Sequence, residues 1–202
     1  FNDASLIVLS ALFSAIAILI LGLAVPVTAS FILSWVIIGP ALIALGVEPA
    51  PVAMFIFYYA VLSEVSPPTA LAAVASAAIT GGKVIPTMIQ ACKYTLPAFL
   101  APMAFVVTDS GSHLLSQGSL VDILWTFLVA GSAVAALAVA TTGWMFGPTS
   151  LLERALCVPA AFLLLYLVPT SIALGYAVFA VAVVLHLVRR RMVRGSDPTP
   201  AT

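Results

Sequence analysis

The sequence is poor in charge: of 202 residues only 7% are Asp, Glu, Lys or Arg, where a soluble domain carries about 25%. Hydrophobic residues make up 63% and the mean hydropathy is +1.25. A water-facing surface cannot be assembled from this composition, which excludes an ordinary soluble fold. Neither sign of charge is in excess, with seven basic and seven acidic residues, so there is no basic stripe of the kind that binds nucleic acid. Cysteine is scarce. Cys92 and Cys157 stand far apart in apolar surroundings, which excludes a disulfide framework or a thiolate metal site and reads as two small core residues. There is no nucleophile–His–Asp grouping, no metal-binding His/Cys spacing and no phosphate-cradling glycine loop, so no catalytic chemistry is visible and no cofactor is expected. The N-terminus lacks the basic segment and small-residue cleavage site of a signal peptide. Position 1 is Phe, and the chain enters an apolar helix almost at once; it is expected to be a piece of something longer.

Long apolar runs are what the sequence does have, and they predict an all-α, polytopic membrane protein. The first run, Ser5–Leu21, carries no charge and ends at Gly22-Leu23-Ala24-Val25-Pro26-Val27-Thr28. A second run, Ala29–Leu45, ends at Gly46 and a loop holding Glu48, Pro49 and Pro51. Val52–Leu62 and Thr69–Thr80 are each too short to cross a hydrocarbon core of about 30 Å at 1.5 Å per residue. Joined across Ser63-Glu64-Val65-Ser66-Pro67-Pro68 they are long enough. An interfacial helix is expected over 84–93, between Lys83 and Lys93, and a helix over 94–107 or from an earlier start. A polar loop, 108–121, holds His113, expected to be solvated. C-terminal transmembrane helices are expected within 122–194: Asp122–Phe146, then Ala155–Val168 after Glu153-Arg154, then Ser171–Val188. Residues 195–202 read as a disordered tail. Trp35, Trp125 and Trp144 read as interface anchors or packing, and His186, two residues before the arginine cluster, as an interfacial, snorkelling side chain.

Charge gives an orientation. Positive loops prefer the cytoplasm, so Arg189, Arg190, Arg191 and Arg194 place the C-terminus inside. Working backwards span by span, 108–121 and Glu48 lie outside, and all seven basic residues fall on the cytoplasmic side. The turn 22–28 would then reach cytoplasmic water if both flanking runs crossed fully, yet it carries no charge. A re-entrant hairpin over 5–45, entering from outside, suits it better, because irregular backbone at membrane depth needs protein or a wet cavity around it.

The two breaks, Gly22–Ser30 and Ser63–Thr69, are where chemistry is expected. A helix interrupted inside the membrane exposes carbonyls at one half-helix end and N–H groups at the other, with dipoles that favour a cation and an anion respectively. Thr28, Ser30, Ser63, Ser66 and Thr69 add hydroxyl oxygens, and the helix-breaking Pro67 and Pro68 remove two backbone donors. That oxygen-rich, uncharged set suits Na⁺. The plainer reading makes both breaks proline kinks. Glu64 is the one acidic residue beside a break and a possible coupling carboxylate; otherwise it faces a wet cavity or pairs with Lys83 or Lys93.

These residues also carry a resemblance. Gly22-Leu23-Ala24-Val25-Pro26-Val27-Thr28-Ala29-Ser30 is similar to the G-M-G-L-P-T-T-A-A turn of TRAP transporter large permease subunits, in particular the fused permeases paired with TAXI-type binding proteins. Phe57-Tyr58-Tyr59-Ala60-Val61-Leu62-Ser63-Glu64-Val65-Ser66-Pro67-Pro68-Thr69-Ala70-Leu71-Ala72-Ala73 resembles their F-Y-F-A-x-L-S-x-I-T-P-P-V-A-L-A-A stretch. Leu152-Glu153-Arg154-Ala155-Leu156 and Gly175 resemble their C-terminal extension. Ser66 stands where Thr is usual and Thr69 replaces a common Val. The resemblance implies the second of two inverted repeats (residues 1–107) of a Na⁺-driven secondary transporter, fed with organic acids by a TAXI-type extracytoplasmic solute-binding protein. It further implies a bacterial or archaeal plasma membrane and a missing N-terminal half that holds the first repeat. Na⁺ coordination would fall on Gly22, Pro26, Thr28, Ser63, Ser66 and Thr69. The competing readings are a channel-like or scaffold membrane protein and, with less behind it, a lipid-handling membrane enzyme.

Overall fold

Helices account for nearly all the regular structure in a computed structural model of the chain, which describes residues 3–195. They are α1 (Asp3–Gly22), α2 (Val27–Ala44), α3 (Pro49–Leu62), α4 (Leu71–Thr80), α5 (Val84–Val107), α6 (Leu120–Thr142), α7 (Leu151–Leu165) and α8 (Pro169–Gly195), with 3-10 turns at Ser63–Val65 and Asp109–Leu115. Four of them contain apolar stretches long enough to span a bilayer: Ser5–Gly22, Val27–Ala44, Leu120–Thr142 and Pro169–Arg191. Between 17% and 33% of each stretch is buried within the protein. The rest is apolar surface that only lipid or further protein can cover without a large hydrophobic penalty. The chain is a multi-pass membrane protein.

It divides into two compact units, residues 1–128 and 129–202. In the first, α3 is the central element. Val52, Phe55, Ile56, Tyr59 and Ala60 are all buried, and α1, α2 and α5 pack around them. From α1 the buried residues are Ala11, Ala15 and Ile18, one face at helical spacing on which the two alanines let the helices approach. Phe55 and Tyr59 meet edge to face at 5.0 Å, and the Tyr59 hydroxyl donates to the Phe99 carbonyl at 2.6 Å. The interior of this unit is thus built around the half-helix that leads into the second break.

The helix expected over 94–107 takes the earlier start, at Val84, and absorbs 84–93, so the separate interfacial helix expected there does not form. Pro86 lies in the first turn, where its missing N–H would have had no helical partner, so nothing stops the helix. His113, expected in solvent, is half-buried, its Nδ1 3.4 Å from Thr126 Oγ1. Trp35 packs across Gly39 on its own helix, while Trp125 is exposed.

In the second unit α7 and α8 form an antiparallel pair. They close tightly at Gly175, where a Cβ would stand 2.8 Å from Leu164 Cγ. α6 ends at Thr142 rather than Phe146, and the connection carries a bridge between Trp144 and Pro148. α7 begins at Leu151, before the expected Ala155, because Ser150 and Glu153 make a reciprocal capping box: Glu153 N donates to Ser150 Oγ and Ser150 N to the Glu153 carboxylate. α8 runs on through the arginines, which suit the negative end of its dipole. Gly195 therefore closes a helix rather than opening a tail; 196–202 lie outside the described residues.

His186 does not snorkel. It is 3% exposed, with Nδ1 2.9 Å from Glu153 Oε2, and Arg189 Nη1 lies 3.2 Å from Glu153 Oε1. Residues 186 and 189 share a face of α8, and antiparallel packing carries that face to the start of α7. Cys157 is buried as expected; Cys92 is only partly so.

Candidate cation site

The chain first breaks between α1 and α2. The last turn of α1 tightens, with Leu23 N donating to Ile20 O and Ala24 N to Leu21 O. Pro26 then holds extended backbone (φ −58°, ψ 153°) as the N-cap of α2. Because helical hydrogen bonds reach back four residues, the first amides of α2 point out of its end without helical partners. Ser30 N donates to Pro26 O at 2.9 Å and starts the regular ladder.

The second break follows α3. The helix narrows to a 3-10 turn at Ser63–Val65, and Ser66 is extended (φ −89°, ψ 132°), as a residue before proline is driven to be. Pro67 and Pro68 are exposed, Ala70 takes a left-handed conformation, and α4 follows from Leu71. Hydroxyls cap the interrupted carbonyls: Ser63 Oγ donates to Ala60 O at 2.7 Å, Ser66 Oγ to Leu62 O at 2.8 Å, and Thr69 Oγ1 to Ser66 O at 3.5 Å. A hydroxyl whose proton is committed to a carbonyl keeps its lone pairs for another partner. Each thus keeps accepting capacity at its oxygen.

The two breaks meet. A Cβ on Gly22 would overlap the Ser63 hydroxyl, would stand 2.5 Å from Ser63 Cβ and would lie 3.5 Å from Ser30 Oγ. Only a residue without a side chain permits this approach. Ser63 and Ser30 are both 0% exposed. Ser63 has its carbonyl partner, but Ser30 Oγ and, one turn further along α2, Ser34 Oγ are buried with no hydrogen-bond partner.

Of the residues singled out in the sequence, the fold joins Gly22 to Ser63 directly and keeps Ser66 and Thr69 in the same short break. Pro26 and Thr28 are on the same turn as Gly22 but exposed. Glu64 is partly buried, and among the described residues its carboxylate is in neither of the ion pairs, both of which belong to Glu153. Ser34 carried no sequence flag, although a serine four residues after another in an otherwise apolar helix marks one polar stripe. A separate cavity of about 260 Å³ is lined by Ile7, Val47, Glu48, Pro51 and Thr108 among others and holds none of the break residues.

Among the described residues no group of three or more His, Cys, Asp or Glu could hold a metal ion. What the junction offers is neutral oxygen from hydroxyls and interrupted helix ends, chemistry that fits a small hard cation of low charge.

A family description, the tripartite ATP-independent periplasmic transporter, DctM component, matches residues 3–110, more than half of the chain and the whole of both breaks. No curated protein and no solved structure matches.

Proposed function

Since the chain belongs to the tripartite ATP-independent periplasmic transporters as part of their DctM component, we propose that it forms the second half of a Na⁺-coupled transport core that imports organic acids. The observation that carries this reading is the contact of the two helix interruptions at Gly22 and Ser63, lined by buried hydroxyls. Na⁺ would be held by Ser63, Ser66 and Thr69 together with backbone of the Gly22–Thr28 turn. Its binding would tie the tip of the α1–α2 hairpin to the broken α3–α4 helix. The unpaired first amides of α2 and the positive end of its dipole suit a substrate carboxylate. Glu64, partly buried beside the break, would tune the local charge.

In this reading α1 and α2 form a re-entrant hairpin, and a TAXI-type solute-binding protein delivers substrate at the outer face. The first repeat, from the N-terminal half of the permease, completes the site. The membrane is the plasma membrane of a bacterium or archaeon, with the C-terminus of the chain in the cytoplasm. A scaffold or a channel-like protein gives no reason to bury unpartnered hydroxyls where two helices break, because each costs about 1–3 kcal/mol unless something satisfies it.

The test is solute uptake by the full-length permease and its binding protein in liposomes. An inward Na⁺ gradient is expected to drive accumulation of an organic acid, and collapsing the gradient to stop it. Uptake indifferent to Na⁺ removes the coupling.

A further inference from the structure

Two buried hydroxyls on the inner face of α2 are not among the Na⁺ ligands named above. Ser30 is 0% exposed and Ser34 1%, and neither hydroxyl has a hydrogen-bond partner. A serine inside a helix ordinarily back-bonds the carbonyl four residues earlier; neither of these does. They are four residues apart on one face of a helix whose one other hydroxyl is that of Thr28. Ser30 faces the meeting point of the breaks, 3.5 Å from the position a Gly22 Cβ would take, and the Ser63 hydroxyl overlaps that same position. Ser63 has already given its proton to Ala60 O, so it cannot donate to Ser30, and Ser30 is free to turn its lone pairs toward the gap.

We propose that Ser30 and Ser34 are ligands of the coupling cation, extending the site at the Gly22–Ser63 junction one turn along the inner face of α2. This rests on the Na⁺ reading of that junction. Among the described residues the fully buried carboxylate is that of Glu153, in the other unit, and Glu64 beside Ser63 is only partly buried, so a monovalent cation suits these hydroxyls and a divalent one would be left undercompensated. Satisfying both oxygens with a cation removes the penalty of two buried, unbonded polar atoms, which makes part of the hairpin's stability conditional on the ion.

That conditionality gives opposite signs to two measurements on the full-length permease. Without Na⁺, Ser30→Ala removes an unsatisfied hydroxyl, and the melting temperature is expected to stay the same or rise. With Na⁺, at ionic strength held constant by choline chloride, the variant's Na⁺-induced stabilisation is expected to shrink. The Na⁺ concentration for half-maximal uptake is expected to rise about tenfold, equivalent to about 1.4 kcal/mol of binding. Ser34→Ala shifts both readouts in the same direction. Ser30→Cys fills a similar volume with a poor ligand for a hard cation and behaves like Ser30→Ala, whereas Ser30→Thr keeps the oxygen and the Na⁺ response. Full Na⁺ stabilisation in Ser30→Ala and Ser34→Ala, or a lowered melting temperature in Na⁺-free buffer with the Na⁺ shift intact, overturns the proposal and assigns the hydroxyls to buried water. If wild-type protein responds to Na⁺ and the variants respond equally, the extension alone fails. If wild type ignores Na⁺, the coupling reading fails with it.

Discussion

The α-carbon of Gly22 rests against the side chain of Ser63, so closely that a methyl group on the glycine would occupy the space of the serine hydroxyl. Gly22 ends α1, and Ser63 caps α3 and opens the 3-10 turn that follows. Their contact turns two separate interruptions into one place where hydroxyl oxygens and broken helix ends converge. A helix end buried without partners is unstable in lipid.

Gly22→Ala tests this contact. Overpacking a closed site typically costs about 1–3 kcal/mol, and here the strain falls on the junction. The variant is expected to insert and fold with a lowered melting temperature and to lose Na⁺-dependent uptake. Adding Ser63→Gly to Gly22→Ala restores space and is expected to recover much of the stability but not the Na⁺ dependence, since the hydroxyl is gone. Recovery of both would reduce Ser63 to a packing residue.

Ser66→Ala removes the hydroxyl that caps Leu62 O. The lost hydrogen bond costs about 1 kcal/mol of stability. A ligand role predicts more: the Na⁺ concentration for half-maximal uptake should rise while expression falls little. Equal loss of expression and of Na⁺ dependence marks a structural cap alone.

Glu153→Ala is expected to disrupt the α7–α8 pair. The carboxylate is 2% exposed, bonded to His186 and Arg189 and to the first turn of its own helix. Leaving the buried His186 Nδ1 without its partner typically costs about 1–3 kcal/mol, and the loss of the Glu153 arm of the capping box adds to it. Ser150→Ala takes away one arm of the capping box, and about 1 kcal/mol is expected. Thermal unfolding of the two variants should keep that order; a Glu153→Ala loss no larger than that of Ser150→Ala would show the pair to be energetically idle.

The orientation drawn from charge is tested by single cysteines placed in the full-length permease with Cys92 and Cys157 replaced by Ala. A cysteine at Glu48 is expected to react with an impermeant maleimide added outside intact cells, and one at Gly82 only after the membrane is opened. The reverse pattern inverts the topology and would move the hairpin entry to the cytoplasmic side.

Much of the fold is legible because membrane helices announce themselves locally. A chain with so little charge has nothing to put in water, and proline and glycine interrupt helices through their own covalent structure. Gly22–Pro26 and Ser66–Pro68 could therefore be located by reading along the chain. Helix ends were harder. Pro86 looks like a stop but falls in a first turn where it costs nothing. The capping box of Ser150 and Glu153 starts α7 four residues before the apolar run suggests.

The sequence by itself determined that this protein lives in a bilayer, that its helices break at two places, and that hydroxyls accompany both breaks. These follow from the chemistry of neighbouring residues. The tertiary structure alone decided which hydroxyls face the junction, that Gly22 meets Ser63, and that His186 is buried against Glu153 rather than lying at an interface. Each of these depends on how one helix is rotated against another. That rotation is set by packing within each unit, through small residues such as Ala11 and Ala15 in the first and Gly175 in the second, and no local run of sequence encodes it.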